Sequence, residues 1–171
     1  MKNLVLIGFM GTGKSAVGRR VARRLRRTFI DVDQQIVARE GRSIPEIFAQ
    51  EGEAYFRDVE SAVITAAAAE DGAVIATGGG AVLRAQNVQR LRANGALICL
   101  RADAETIAKR VSRRQSRPLL AGEGDVQERI VELLARRTPA YAVADLTLDT
   151  TGRSADAVAN DIVRYARRLE P

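Results

Sequence analysis

Gly8-Phe-Met-Gly-Thr-Gly13-Lys14-Ser15 brings three glycines, one ammonium and two hydroxyls into a single short run. Such a run can surround a polyphosphate. Glycines at 8, 11 and 13 tolerate positive φ and carry no Cβ, so successive backbone N–H groups can turn inward around phosphate oxygens. Lys14 supplies a compact charge for the β- and γ-phosphates, and Ser15 supplies a hydroxyl ligand for Mg²⁺. Arginine outnumbers lysine 24 to 3, so a lysine here answers a need for a point charge rather than a guanidinium fork. The flanks agree. Asn3 to Ile7 is an apolar run of strand type and Ala16 opens a helical pattern, the strand, loop and helix order that a P-loop requires. The helix N-terminus adds its partial positive charge at the same spot.

Five further groups of residues could do chemistry. Asp31 and Asp33 lie two apart at the end of the second apolar run and share a side if the strand continues through both. Asp31 is then a candidate for the water shell of Mg²⁺, and Asp33 for accepting a hydrogen bond from a substrate alcohol. A strand-end turn with an N-cap aspartate is the plainer alternative. Gly78-Gly79-Gly80 can bring backbone donors close to a ligand, or can simply be a flexible turn. Arg57 has Glu53 four residues before it, which suits a surface salt bridge, and Glu60 three residues after it, which suits a guanidinium held as a carboxylate clamp. Arg117, beside Pro118, is placed to close over a transferring phosphoryl group. Arg136 and Arg137 precede Thr138-Pro139, where cations also favour a helix C-terminus.

These residues need a frame. Five apolar runs, Asn3 to Ile7, Thr28 to Val32, Ala73 to Thr77, Ala96 to Leu100 and Asp145 to Asp149, alternate with helical stretches. That alternation predicts an α/β domain with a parallel sheet covered on both faces. Ser43-Ile-Pro-Glu46 has the capping-box spacing, and Gly52 should end or bend the helix that follows. Phe56, Val59, Val63 and Ala66 mark the buried face of the next helix, and Val17, Val21, Ala22 and Leu25 that of the first. Ser154 caps the last helix. A single domain over 1–171 is expected, with a substrate-holding region at about 33–61 and a mobile lid at about 113–125.

Composition narrows the function classes. The chain has 171 residues, 46% of them hydrophobic, enough for a real core. No signal peptide and no run near the roughly 18 apolar residues of a membrane span is present, so a soluble cytoplasmic protein is expected. One cysteine, Cys99, permits no internal disulfide and suits a buried core position; with no histidine, a zinc site of the usual ligand types is not expected. Catalysis then falls to carboxylates, Lys, Arg and backbone groups. A net charge of +6 suits small polyanions as well as nucleic acid. Six arginines between Arg19 and Arg27 read as the solvated side of one helix, and with seven Phe and Tyr and no Trp, stacking platforms for single strands are scarce. No nucleic-acid partner and no membrane partner is expected.

Taken together, the P-loop, Asp31-Val-Asp33, Phe56-Arg57 with Glu60, Thr77-Gly-Gly-Gly80, Arg117-Pro-Leu-Leu120 and Arg137-x-Pro139-x-Tyr141 resemble the shikimate kinase family over essentially the whole chain. The resemblance implies a fold like that of nucleoside monophosphate kinases, with a five-stranded sheet of order 2-3-1-4-5. It implies transfer of the γ-phosphoryl group of ATP to the 3-hydroxyl of shikimate, in chorismate and aromatic amino acid biosynthesis, by a monomer. Asp33, Arg57, Gly79 and Arg137 would bind shikimate. Gly11, Thr12, Gly13, Lys14, Ser15, Ala16, Arg110, Arg117 and Arg153 would contact the nucleotide, with Lys14, Asp33 and Arg117 catalytic and Ser15 on Mg²⁺. The family often has a proline shortly after the adenine-side arginine, whereas Arg153 is followed here by Ser154-Ala155. A P-loop kinase of another polyol acid, such as gluconate, is the alternative.

Overall fold

The structure, a computed structural model, describes residues 1–112 and 125–169. Five strands, β1 (Asn3–Ile7), β2 (Phe29–Asp31), β3 (Val74–Ala76), β4 (Gly95–Arg101) and β5 (Leu146–Asp149), form one parallel sheet in the order β2-β3-β1-β4-β5. β1 is buried at every residue because helices cover both faces. Its side chains alternate between two cores: Val5 and Ile7 pack on one side with Phe9, Ile47, Phe56 and Ile64, whereas Leu4 and Leu6 pack on the other with Val17, Val21, Ile98 and Ile162.

Helices α1 (Lys14–Leu25) and α7 (Ala155–Leu169) contribute to the second core. Gly18 lets α1 sit close to β2, since a Cβ there would lie 2.6 Å from the Phe29 ring. On the opposite face lie α2 (Val32–Glu40), α3 (Ile44–Ala68), α4 (Ala85–Ala93), α5 (Ala104–Ser112) and α6 (Val126–Arg137). Ser43 caps α3 with both hydrogen bonds of a capping box, and Gly52 (φ 84°, ψ 174°) kinks it. Ser154 Oγ accepts from Ala157 N at 3.2 Å at the start of α7.

Two expectations need correction. The second strand stops at Asp31, whose carboxylate caps α2 by accepting from Gln34 N, so Asp33 stands in the first helical turn rather than on a continued strand. The helix won because an N-cap aspartate satisfies an orphan N–H that the strand could not. Ala66 is exposed, and the buried stripe of α3 instead runs through Phe56, Val59, Glu60, Val63, Ile64 and Ala67. A period of 3.6 carries the stripe from Val63 to Ala67, not to Ala66.

Ligand sites in open parallel sheets lie beyond the carboxyl ends of the strands. Here that end gathers the loop after β1, Asp31 at the end of β2 and the glycine turn after β3. No helix among the described residues is long and apolar enough to cross a membrane.

Candidate active site

The loop after β1 is held open by backbone geometry and by its own side chains. Gly8, Gly11 and Gly13 have φ of 133°, 76° and 95°. At Gly8 a Cβ would fall 2.1 Å from Leu100 O, so no other residue fits between this loop and β4 without displacing backbone. Thr12 Oγ1 donates to Phe9 O at 2.8 Å, and Lys14 Nζ donates to Gly8 O at 2.7 Å and Phe9 O at 2.9 Å. The ammonium therefore reaches back across the loop to its first two residues.

A cavity of about 430 Å³ opens above the loop. Gly11, Thr12, Gly13, Lys14, Ser15 and Ala16 all line it, as do Arg110 and Arg153. Arg110 is fastened by three bonds: Nη1 donates to Gly11 O at 3.2 Å and to Thr150 Oγ1 at 3.0 Å, and Nη2 donates to Thr150 O at 3.0 Å. Arg153 pairs with Asp161 at 2.6 Å, a carboxylate on α7. Ser154-Ala155 after Arg153 thus starts α7, and Ala155 itself lines the cavity.

A second cavity, of about 680 Å³, lies between α1, α2 and α3. Arg57 and Arg137 enter it from different elements, with Arg19 at its edge. Apolar Phe48, Phe56 and Val37 form one wall. Both deeper arginines are held in place. Arg57 Nη1 donates to Glu60 Oε2 at 2.7 Å, Nη2 to Glu53 Oε1 at 3.2 Å, and its guanidinium lies 5.2 Å from the Phe56 ring centroid. Arg137 ends α6, 5.8 Å from the Phe9 ring centroid. Its neighbour Arg136 is exposed and pairs with Glu132 instead. Burial pushes the Glu60 carboxyl above the usual carboxylate range, although Arg57 pulls the other way. Arg57, by contrast, is held above its ordinary value by Glu60 and Glu53 against the effect of burial. Both residues line the cavity, and Glu60 is the more deeply buried, at 0% exposed against 9% for Arg57.

The two cavities share Ser15, Ala16, Asp33, Gly78 and Gly79. Phosphates held by the loop and an alcohol held near Asp33 would meet there. Asp31 lines only the second cavity. Among the described residues no group of three or more His, Cys, Asp or Glu could hold a metal ion. A Mg²⁺ that takes one serine hydroxyl and is otherwise carried by phosphates and water needs no such group, so the donor set at Ser15 fits it.

Some expected residues lie elsewhere. Arg117 falls outside the described residues, as does the proposed lid apart from Asp125, which caps α6 by accepting from Gln127 N at 2.9 Å. Two residues had no assigned role in the sequence. Thr150, 2% exposed, receives Arg110 beneath the first cavity, and its only local signal is a turn threonine after β5. Tyr141 donates to Gly79 O at 2.6 Å across 62 residues, a contact no local pattern encodes.

Comparison with known proteins agrees with this arrangement. The chain is 46% identical over 167 residues to a shikimate kinase of Pelotomaculum thermopropionicum, covering 98% of this chain and 96% of the relative. It is 52% identical over 150 residues to one from Desulforudis audaxviator, covering 88% and 78%. The solved shikimate kinase of Acinetobacter baumannii in complex with shikimate superposes with a TM-score of 0.94 at 36% identity, covering 99% of this chain and 95% of that one. The Aquifex aeolicus shikimate kinase gives 0.83 at 32% identity, covering 96% of each. The shikimate kinase family model matches residues 10–167, and the chain belongs to that family.

Proposed function

We propose that this chain phosphorylates shikimate with ATP as co-substrate through the residues assembled where the two cavities meet. The observation that carries the reading is the sharing of Ser15, Asp33 and Gly79 between a phosphate-binding cavity and one armed with Arg57 and Arg137. Gly11 to Ala16 hold the nucleotide's phosphates, and Arg110 and Arg153 flank its base. Arg57 and Arg137 take the acceptor's carboxylate, and Gly79 contributes backbone to the acceptor's bed. Asp33 accepts the hydrogen bond of the 3-hydroxyl and aligns its oxygen with the γ-phosphorus. Transfer gives shikimate 3-phosphate and ADP.

The transition state is loose, so positioning and charge dominate over proton abstraction. Lys14 and Arg117 carry the charge that spreads over the transferring group. The Ser15 hydroxyl would hold Mg²⁺ and Asp31 would hold the ion's water ligands, and the ion would supply further charge neutralisation. We read the chain as a cytoplasmic monomer that acts on small molecules, and not on nucleic acid.

A coupled assay of ADP release with shikimate, gluconate or an oligonucleotide added to ATP and Mg²⁺ tests the whole reading. Turnover should require shikimate. Equal turnover with gluconate, or stimulation by the oligonucleotide alone, would overturn it.

A further inference from the structure

The turn Gly78-Gly79-Gly80 is exceptionally free as a sequence, yet it must present a stable surface to the acceptor. Three consecutive residues without Cβ let each peptide plane rotate with little steric penalty. Local bonds hold two of its carbonyls, Gly78 O from Ala81 N at 3.2 Å and Gly80 O from Leu83 N at 3.1 Å, but what holds the middle one lies far away in the chain. After α6 ends at Arg137, a 3₁₀ turn over Thr138–Val143 buries Tyr141, which is 8% exposed, and its hydroxyl donates to Gly79 O at 2.6 Å. Burial keeps that phenol protonated well above neutrality, so it remains a donor. The Arg137 guanidinium acts on the same hydroxyl and stands 3.6 Å from where a Gly79 Cβ would be. On its other side that position is 3.1 Å from Met10 N of the phosphate loop.

We propose that Tyr141 is a positioning residue for the acceptor. Its hydroxyl fixes the Gly79–Gly80 peptide plane in one orientation and ties it to the helix end that carries Arg137. A planar trans peptide points its N–H opposite to its C=O, so pinning the Gly79 oxygen also sets the direction of the Gly80 N–H. The glycine backbone and the Arg137 guanidinium, neighbours in this arrangement, then keep a constant separation as they face the acceptor. Proline at 139 and the 3₁₀ turn bring the ring back from α6 to the glycines, which gives the spacing from Arg137 to Tyr141 a physical purpose.

The inference rests on the acceptor reading above, and the experiment separates the two. Wild type and Tyr141→Phe are assayed with shikimate varied at saturating ATP and the reverse, alongside thermal melting. Loss of one buried hydrogen bond should raise KM for shikimate about fivefold or more, while KM for ATP moves less than about twofold. Replacing Tyr141 by 4-aminophenylalanine, which restores a donor on the ring, should recover most of the shikimate KM. That rescue also serves if Tyr141→Phe proves too unstable to assay. An unchanged shikimate KM in Tyr141→Phe, a parallel rise in both KM values, or no rescue would overturn the role of Tyr141. Failure of the wild type itself to phosphorylate shikimate would instead overturn the acceptor reading first, and this proposal with it.

Discussion

Gly80→Ala should damage acceptor binding by displacing Arg57. Gly80 has φ −101° and ψ 1°, a conformation open to alanine, so the substitution brings no backbone strain. The added methyl would fall 2.5 Å from Arg57 Nη2 and 2.6 Å from both Cζ and Nη1. Ordinary contact needs about 3.5 Å, so the guanidinium must retreat by about 1 Å. It cannot do so and keep its bonds, because Nη1 sits 2.7 Å from Glu60 Oε2 and the group is packed on Phe56. A displaced clamp forfeits one hydrogen bond to the acceptor's carboxylate, roughly 1.5–3 kcal/mol, which is about 10- to 150-fold in affinity. Steady-state ADP release with shikimate varied at saturating ATP reads this as KM, and a melting curve checks the fold. KM for shikimate should rise by at least about tenfold with KM for ATP little changed, and the melting temperature should fall because the buried Arg57–Glu60 pair is strained. A shikimate KM within twofold of wild type would refute the assignment of Arg57 as the clamp.

Other outcomes follow from the same geometry. Gly8→Ala places a Cβ 2.1 Å from Leu100 O at a φ of 133°, so strain and overpacking together should cost about 3 kcal/mol or more, near 10 °C in melting temperature; an unchanged melting curve would show that the loop can relax. Arg117→Ala should lower kcat by about 10³-fold with shikimate affinity nearly intact, measured by calorimetric titration; equal losses in both would contradict a role confined to the phosphoryl group. Glu60 has its carboxyl raised by burial, so its proton linkage contributes stability below the ordinary carboxylate range that is lost as pH rises through the raised value. The stability advantage of wild type over Glu60→Gln in urea unfolding should therefore shrink from pH 4 to pH 7, and a widening gap would contradict the sign.

The frame was legible because its signals are local. Strand β1, the glycine loop and the start of α1 follow one another in the order their chemistry requires, and the apolar runs mark all five strands to within two residues at each end. The capping box at Ser43 and the kink at Gly52 are likewise written in adjacent residues. The misreadings arose where two local rules competed. Asp31 could extend a strand or cap a helix, and its bond from Gln34 N together with the packing of Val32 and Ile36 into the core favours the cap.

Sequence alone determined that this chain has a phosphate-binding loop on a parallel α/β frame, because peptide geometry and side-chain periodicity act over a few residues. Tertiary structure alone decided that Arg57 and Arg137, 80 positions apart, face one cavity, that Arg110 is fastened to Gly11 and Thr150, and that Tyr141 reaches Gly79. Those contacts depend on how the helices pack across the sheet. Packing is a property of all the buried surfaces at once, so no single segment encodes it.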